Sequence, residues 1–265
     1  MKNPILIILT LLFSLGFTAV REPYLEIPTH HSVWINWKSD AEKDFTIEYG
    51  TSSSNLNLSK SVNTETWSDN GYNNNYLYSS VQLTGLNPKT KYYYRIKNST
   101  YTSPVYDFVT MPEPGKAANN GKTRLLIMGD NQLKGEPRFD SLVVKAKRFV
   151  ETTYQAPVNE VISGILMVGD QVDVGTLDHY EFVHFDKVKY ISPWLGTSTI
   201  IGNHETYGTL KLKAYYDHFH YENLQYSKVP SNTEEYYAYQ AGGMLIVNLN
   251  TDASNQGYTN QANMG

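Results

Sequence analysis

The chain has 265 residues, enough for two hydrophobic cores of ordinary size and too many for a peptide. Lys plus Arg total 22 against 26 Asp plus Glu, a formal charge of −4. That balance leaves no broad basic surface for phosphate-backbone binding and excludes nucleic acid as a stable partner. There is no cysteine, which excludes disulfide frameworks, thiolate zinc sites, iron–sulfur clusters and cysteine nucleophiles, and leaves any metal to oxygen and imidazole ligands. The 22 tyrosines, beside only 18% charged residues, fit a β-rich extracytoplasmic protein.

At the N-terminus, Lys2 precedes an apolar run from Ile5 to Phe17, broken only by Thr10, Ser14 and Gly16. The small pair Thr18-Ala19 then leads into Arg21-Glu22. A charged start, a short apolar stretch and small residues are the export pattern. It predicts a signal peptide over residues 1–21 and a secreted or periplasmic protein with no membrane attachment after cleavage. An uncleaved anchor is the alternative.

Residues 22–110 read as all-β. Ser32–Trp37, Phe45–Gly50, Tyr76–Leu83, Lys91–Lys97 and Val105–Thr110 are β-branched or aromatic runs separated by Ser, Asn and Gly-rich turns. Short strands at that spacing predict a sandwich of the fibronectin III-like kind. Tyr92, at a strand entrance just after the turn Leu86-Asn87-Pro88, is placed to bond back to upstream backbone as a tyrosine corner. The polar, aromatic stretch from Ser68 to Tyr78 reads as a hairpin tip or as a contact loop. Met111–Gly121, with two prolines and two glycines, has linker composition.

Residues 122–265 change character. Arg124–Met128, Gly164–Val168 and Thr197–Ile201 are continuous apolar runs, as expected of parallel strands buried on both faces. Between them, Arg138–Thr152 spaces Phe139, Leu142, Val143, Ala146, Phe149 and Val150 at helical intervals, and Leu177–Val188 does likewise. The order βαβαβ predicts an α/β layered domain.

Each of the three strands ends in glycine and a small polar residue: Gly129-Asp130-Asn131-Gln132, Gly169-Asp170-Gln171-Val172-Asp173 and Gly202-Asn203-His204-Glu205. Loops after the carboxyl ends of neighbouring parallel strands converge on one crevice, so Asp130, Asp170, Asn203 and His204 are expected to meet there. Two carboxylates and an amide oxygen are hard ligands suited to a divalent or trivalent cation. One Gly-Asp pair is explained as well by helix capping; three in order are more specific.

At these motifs the sequence resembles the calcineurin-like metallophosphoesterases. With the preceding sandwich, including Glu48-Tyr49-Gly50 and the Leu86-x-Pro-x-Thr-x-Tyr92 turn, it looks most like the purple acid phosphatase branch. The resemblance implies a phosphoesterase acting on phosphomonoesters, with diesters left open, through two divalent or trivalent ions (Fe, Zn or Mn) and an activated water. It implies that Asp130 binds the first metal, that Asp170 bridges both and that Asn203 binds the second, with His204 beside the leaving group. Asp173 stands where purple members carry the tyrosine whose phenolate colours their iron, so the protein is not expected to be of the purple tyrosinate-iron type. Asp173 either orients His204 as a dyad or caps the following helix. Gln132 lines the pocket or binds loosely, with packing behind the ligands preferred, and Glu205 braces the Asn203-His204 turn. Family members continue with further histidine ligands, so the resemblance also implies a catalytic domain incomplete at its C-terminus and exposed apolar sheet surface. His30, His31, His179 and His184 are read as surface or packing residues, and His218-Phe219-His220 as no metal site. The competing reading is a non-catalytic extracellular binding module, or an inactive truncated phosphatase homologue.

Overall fold

A computed structural model describes residues 20–69, 76–117, 121–133, 138–221, 224 and 231–251. Most of the expected signal peptide, and residues 70–75 of the expected contact loop, lie outside the described residues.

Eight strands build the first part: β1 (Tyr24–Leu25), β2 (Ser32–Ser39), β3 (Thr46–Gly50), β4 (Leu58–Ser61), β5 (Thr64–Trp67), β6 (Tyr76–Thr84), β7 (Lys91–Lys97) and β8 (Tyr106–Val109). They form two four-stranded antiparallel sheets, ordered β1-β2-β6-β5 and β4-β3-β7-β8. Strand β7 shows why they face each other: Tyr92, Tyr94 and Ile96 are buried while the residues between them are half-exposed, the alternation of a sheet with one face in the core. These side chains join Ile35, Trp37, Phe45, Ile47 and Phe108 in one cluster, with Trp37 edge-on to Phe45 at 5.3 Å. The Tyr92 hydroxyl accepts the Asn87 backbone N–H at 2.9 Å, closing the expected tyrosine corner. Met111, placed in the linker by composition, is buried, and its N–H bonds to the Thr29 carbonyl.

The second part begins with β9 (Leu125–Met128), α1 (Arg138–Tyr154), α2 (Val158–Val161), β10 (Gly164–Met167) and β11 (Thr197–Thr199). The three strands pair parallel in the order β11-β10-β9. Phe139, Val143 and Val150 of α1 pack with Ile165, Met167, Ile191 and Leu195. Two details of the expected pattern are corrected here. Leu142 and Phe149 lie on the solvent side of α1, 51% and 68% exposed, because only the stripe through residues 139, 143 and 150 meets the sheet. The strands are also not buried on both faces: Ile127 is 65% exposed on β9, an edge of this three-stranded sheet.

The apolar stretch 177–188 is helical but not uniformly so. It runs as α3 (Leu177–His179), a π-turn (Tyr180–Phe185) and α4 (Asp186–Val188), with the Asp186 N–H reaching five residues back to the Glu181 carbonyl. Thr176 supplies the N-cap, accepting from the His179 N–H, so Asp173 does not cap this helix. A helix α5 (Leu212–His218) and the antiparallel hairpin β12 (Tyr237–Ala241) and β13 (Met244–Asn248) complete the described chain. No helix among the described residues is long and apolar enough to cross a membrane.

Buried polar contacts join the sandwich to the second part. Glu181 of the π-turn accepts from Arg21 at 2.6 Å and from Lys38 of β2 at 3.0 Å. Glu26 receives both the His220 ring and its backbone N–H, while the His220 ring stacks on Trp34. His218 donates from Nδ1 to the Ala214 carbonyl and accepts the Tyr76 hydroxyl at Nε2, so His218-Phe219-His220 is spent on packing.

Candidate functional site

Strands β9, β10 and β11 end side by side, and their exit loops touch. The Asp130 N–H donates to the Gly169 carbonyl at 3.3 Å, joining the first loop to the second. The His204 N–H donates to Asp170 Oδ1 at 3.1 Å, joining the third loop to the same carboxylate. Approach is close enough to demand glycine. A Cβ on Gly202 would stand 2.1 Å from Asp170 Oδ1 and 2.5 Å from its nitrogen, and Gly169 has φ +93° against the Gly202 backbone. Asp130 and Asp170 themselves hold φ of 56° and 52°, the left-handed region that Asp tolerates better than most residues.

Glu205 is the clamp. Its fully buried carboxylate accepts the backbone N–H groups of Gly202 (2.6 Å), Gln171 (2.7 Å), Asp170 (3.1 Å) and Val172 (3.3 Å). Burial pushes its carboxyl up to about 7, against the opposing pull of those N–H groups. The expectation that it braces its own turn is too narrow, because three of the four donors belong to the loop after β10.

His204 Nδ1 lies 2.9 Å from the Asp173 carbonyl and 3.3 Å from Asp173 Oδ1. A carbonyl only accepts, so Nδ1 carries the proton and Nε2 is the nitrogen that can take one up. Asp173 and His204 are thus in contact, with the backbone oxygen nearer than the carboxylate.

The other expected donors are at the surface. Asp130 and Asn203 are exposed and Asp170 is half-buried; Asn203 Nδ2 reaches the Tyr207 hydroxyl at 3.4 Å, leaving its amide oxygen as the donor. Gln132 Oε1 is shielded from solvent with no hydrogen-bond partner among the described residues. Two carboxylates, an amide oxygen and this orphaned second amide oxygen are a donor set that fits a hard cation. No group of three or more His, Asp or Glu able to hold a metal ion is found among the described residues.

Sequence reading missed the groups that hold the first loop. Asn131 Nδ2 donates to the Gln171 carbonyl at 3.0 Å and to the Val183 carbonyl at 3.3 Å, and Lys187 Nζ donates to the carbonyls of Asn131 and Leu133. Gln171 Nε2 ties the second loop to the Ile200 carbonyl. Nothing in the sequence marked them, since each side chain bonds to backbone carbonyls far along the chain.

Residues 21–110 match the family model of the purple acid phosphatase N-terminal domain. The fold is similar to the purple acid phosphatase PPD1 from yellow lupin (Lupinus luteus) seeds, with a TM-score of 0.65 and 17% identity, covering 91% of this chain and 47% of that one. It is also similar to PhoD, with a TM-score of 0.50 and 14% identity, covering 83% of this chain and 49% of that one. At these identities the likeness is one of fold, and the chain spans about half the length of either structure. No curated protein matches the chain in sequence.

Proposed function

We propose that this chain carries the sandwich (residues 22–110), the linker (111–121) and part of the catalytic domain (122–265) of an exported, metal-dependent phosphoesterase acting on phosphomonoesters. The observation that carries the reading is the contact of three strand-end loops at Asp130, Asp170 and His204, on a fold similar to a purple acid phosphatase and to PhoD. Asp130, Asp170 and Asn203 would hold metal, and Gln132 Oε1 is the further oxygen within the first loop. Bound cations supply charge neutralisation at a phosphoryl group and a water of lowered pKa. The chain's own residues supply the rest. Asp173 fixes the His204 tautomer through its carbonyl, so His204 would exchange its proton with the leaving group at Nε2. Glu205 keeps the second and third loops in register.

Hydrolysis of p-nitrophenyl phosphate with added manganese, zinc or iron tests the reading, with Asp170→Ala as the control. Metal-dependent turnover lost in Asp170→Ala is expected. Turnover indifferent to chelator, or retained in Asp170→Ala, would remove the metal mechanism.

A further inference from the structure

Lys187 is a lysine only 5% exposed. Desolvating an ammonium is costly unless its protons are well received. Its Nζ donates to the Leu133 carbonyl at 2.7 Å and to the Asn131 carbonyl at 2.9 Å, three residues and one residue beyond Asp130. From the same loop Asn131 sends its amide to the Gln171 carbonyl and to the Val183 carbonyl. Val183 lies inside the π-turn, and that turn is itself fixed to the sandwich by Lys38 of β2 through Glu181. Hydrogen bonds on either side of the π-turn's own backbone therefore connect β2 to the loop that carries Asp130.

We propose that Lys187 is a positioning residue: with Asn131 it fastens the loop after β9 against the loop after β10, setting Asp130 beside Asp170 before any cation is bound. The metal role of Asp130 rests on the function proposed above; the fastening of the loop does not. A positively charged group that donates to two carbonyls of the donor loop holds that loop's backbone without occupying the Asp130 or Asp170 carboxylate in either bond. The π-turn is what brings Val183 and Lys187 to the loop together, because its extra residue shifts the register of α4 relative to α3.

The test compares Lys187→Met, Lys187→Arg and Asn131→Ala with the unmodified chain, by hydrogen exchange in chelator and by calorimetric titration with manganese. In Lys187→Met we expect exchange at the Asp130 amide and across residues 129–133 to quicken roughly tenfold or more, with the sandwich unchanged. Manganese affinity should fall by a similar factor, and Lys187→Arg should recover most of both. A folded Lys187→Met with unaltered exchange at 129–133 overturns the proposal. Should Lys187→Met not fold, Asn131→Ala decides in the same way, since it removes the bonds to the second loop and to the π-turn and keeps the lysine. Lys187-dependent exchange in a chain that binds no manganese would uphold the fastening and defeat the metal reading.

Discussion

Glu205 and Gln171 stand 34 positions apart in the chain, yet the Gln171 N–H donates to the Glu205 carboxylate at 2.7 Å, and the Asp170, Val172 and Gly202 N–H groups converge on the same two oxygens. One buried side chain thus satisfies four backbone donors that have little other recourse. Glu205→Ala removes every acceptor at once and is expected to cost about 3–5 kcal/mol, the scale of breaking a buried charged network. Glu205→Gln keeps one acceptor oxygen but turns an NH2 toward the two N–H groups on the other, so it should recover only part of the loss. Urea denaturation of the two variants checks the order; equal losses would show that the carboxylate's hydrogen bonds are not what holds the loops.

The close pass between Gly202 and Asp170 gives a second expectation. A Cβ at position 202 overlaps both Asp170 Oδ1 and the Asp170 nitrogen, and neither the backbone nor the clamped carboxylate can retreat cheaply. Gly202→Ala should therefore displace Asp170 and abolish manganese binding, at a stability cost of about 1–3 kcal/mol for overpacking. Calorimetric titration beside a thermal melt separates the two effects. Unchanged manganese affinity would place Asp170 outside the cation site.

The histidines at the junction make stability depend on pH. Burial pushes His218 and His184 down to about 3, below the ordinary value near 6.5. Below pH 6.5 the unfolded chain takes up two protons that the folded chain refuses, so stability is lost as pH falls from 6.5 toward 3. The two rings together contribute a slope of about 2.7 kcal/mol per pH unit, and Glu205, which keeps its proton in the folded chain up to about pH 7, offsets about half of it above its ordinary value near 4.5. Melting temperature should therefore fall between pH 6.5 and 5, and His218→Gln should remove most of that fall. An equally steep fall in His218→Gln would mean that the His218 ring is protonated in the folded protein.

These sites also mark how far the sequence could be read. Strands such as β2 and β7 announce themselves, because Val33, Ile35 and Trp37, or Tyr92, Tyr94 and Ile96, alternate toward one core. Strands β1 and β4 carry no such mark: β1 has two residues, and Leu58–Ser61 is exposed along its length as a sheet edge. The Gly-Asp and Gly-Asn-His strand ends were legible because glycine is required by local geometry. The partners that fix those ends, Lys187, Asn131 and Gln171, were not, since each acts on backbone carbonyls tens of residues away. The π-turn was hidden too, for Leu177, Tyr180 and Val183 enter it at the three-residue spacing of an ordinary helix.

Exposed apolar side chains on the strands lead to the last expectation. Ile127 of β9 is 65% exposed, and Leu245 and Val247 of β13 are 44% and 49% exposed on a two-stranded hairpin. Strand edges that combine free backbone groups with Ile, Leu and Val invite pairing between copies. The isolated chain should therefore self-associate at micromolar concentration. Charged substitutions on these strands, Ile127→Lys together with Val247→Lys, should restore monomers with little loss of stability, since neither side chain contributes to a core. Light scattering on both proteins decides the matter: a monodisperse unmodified chain would show that these strands are not adhesive, and an aggregated double variant would locate the association elsewhere.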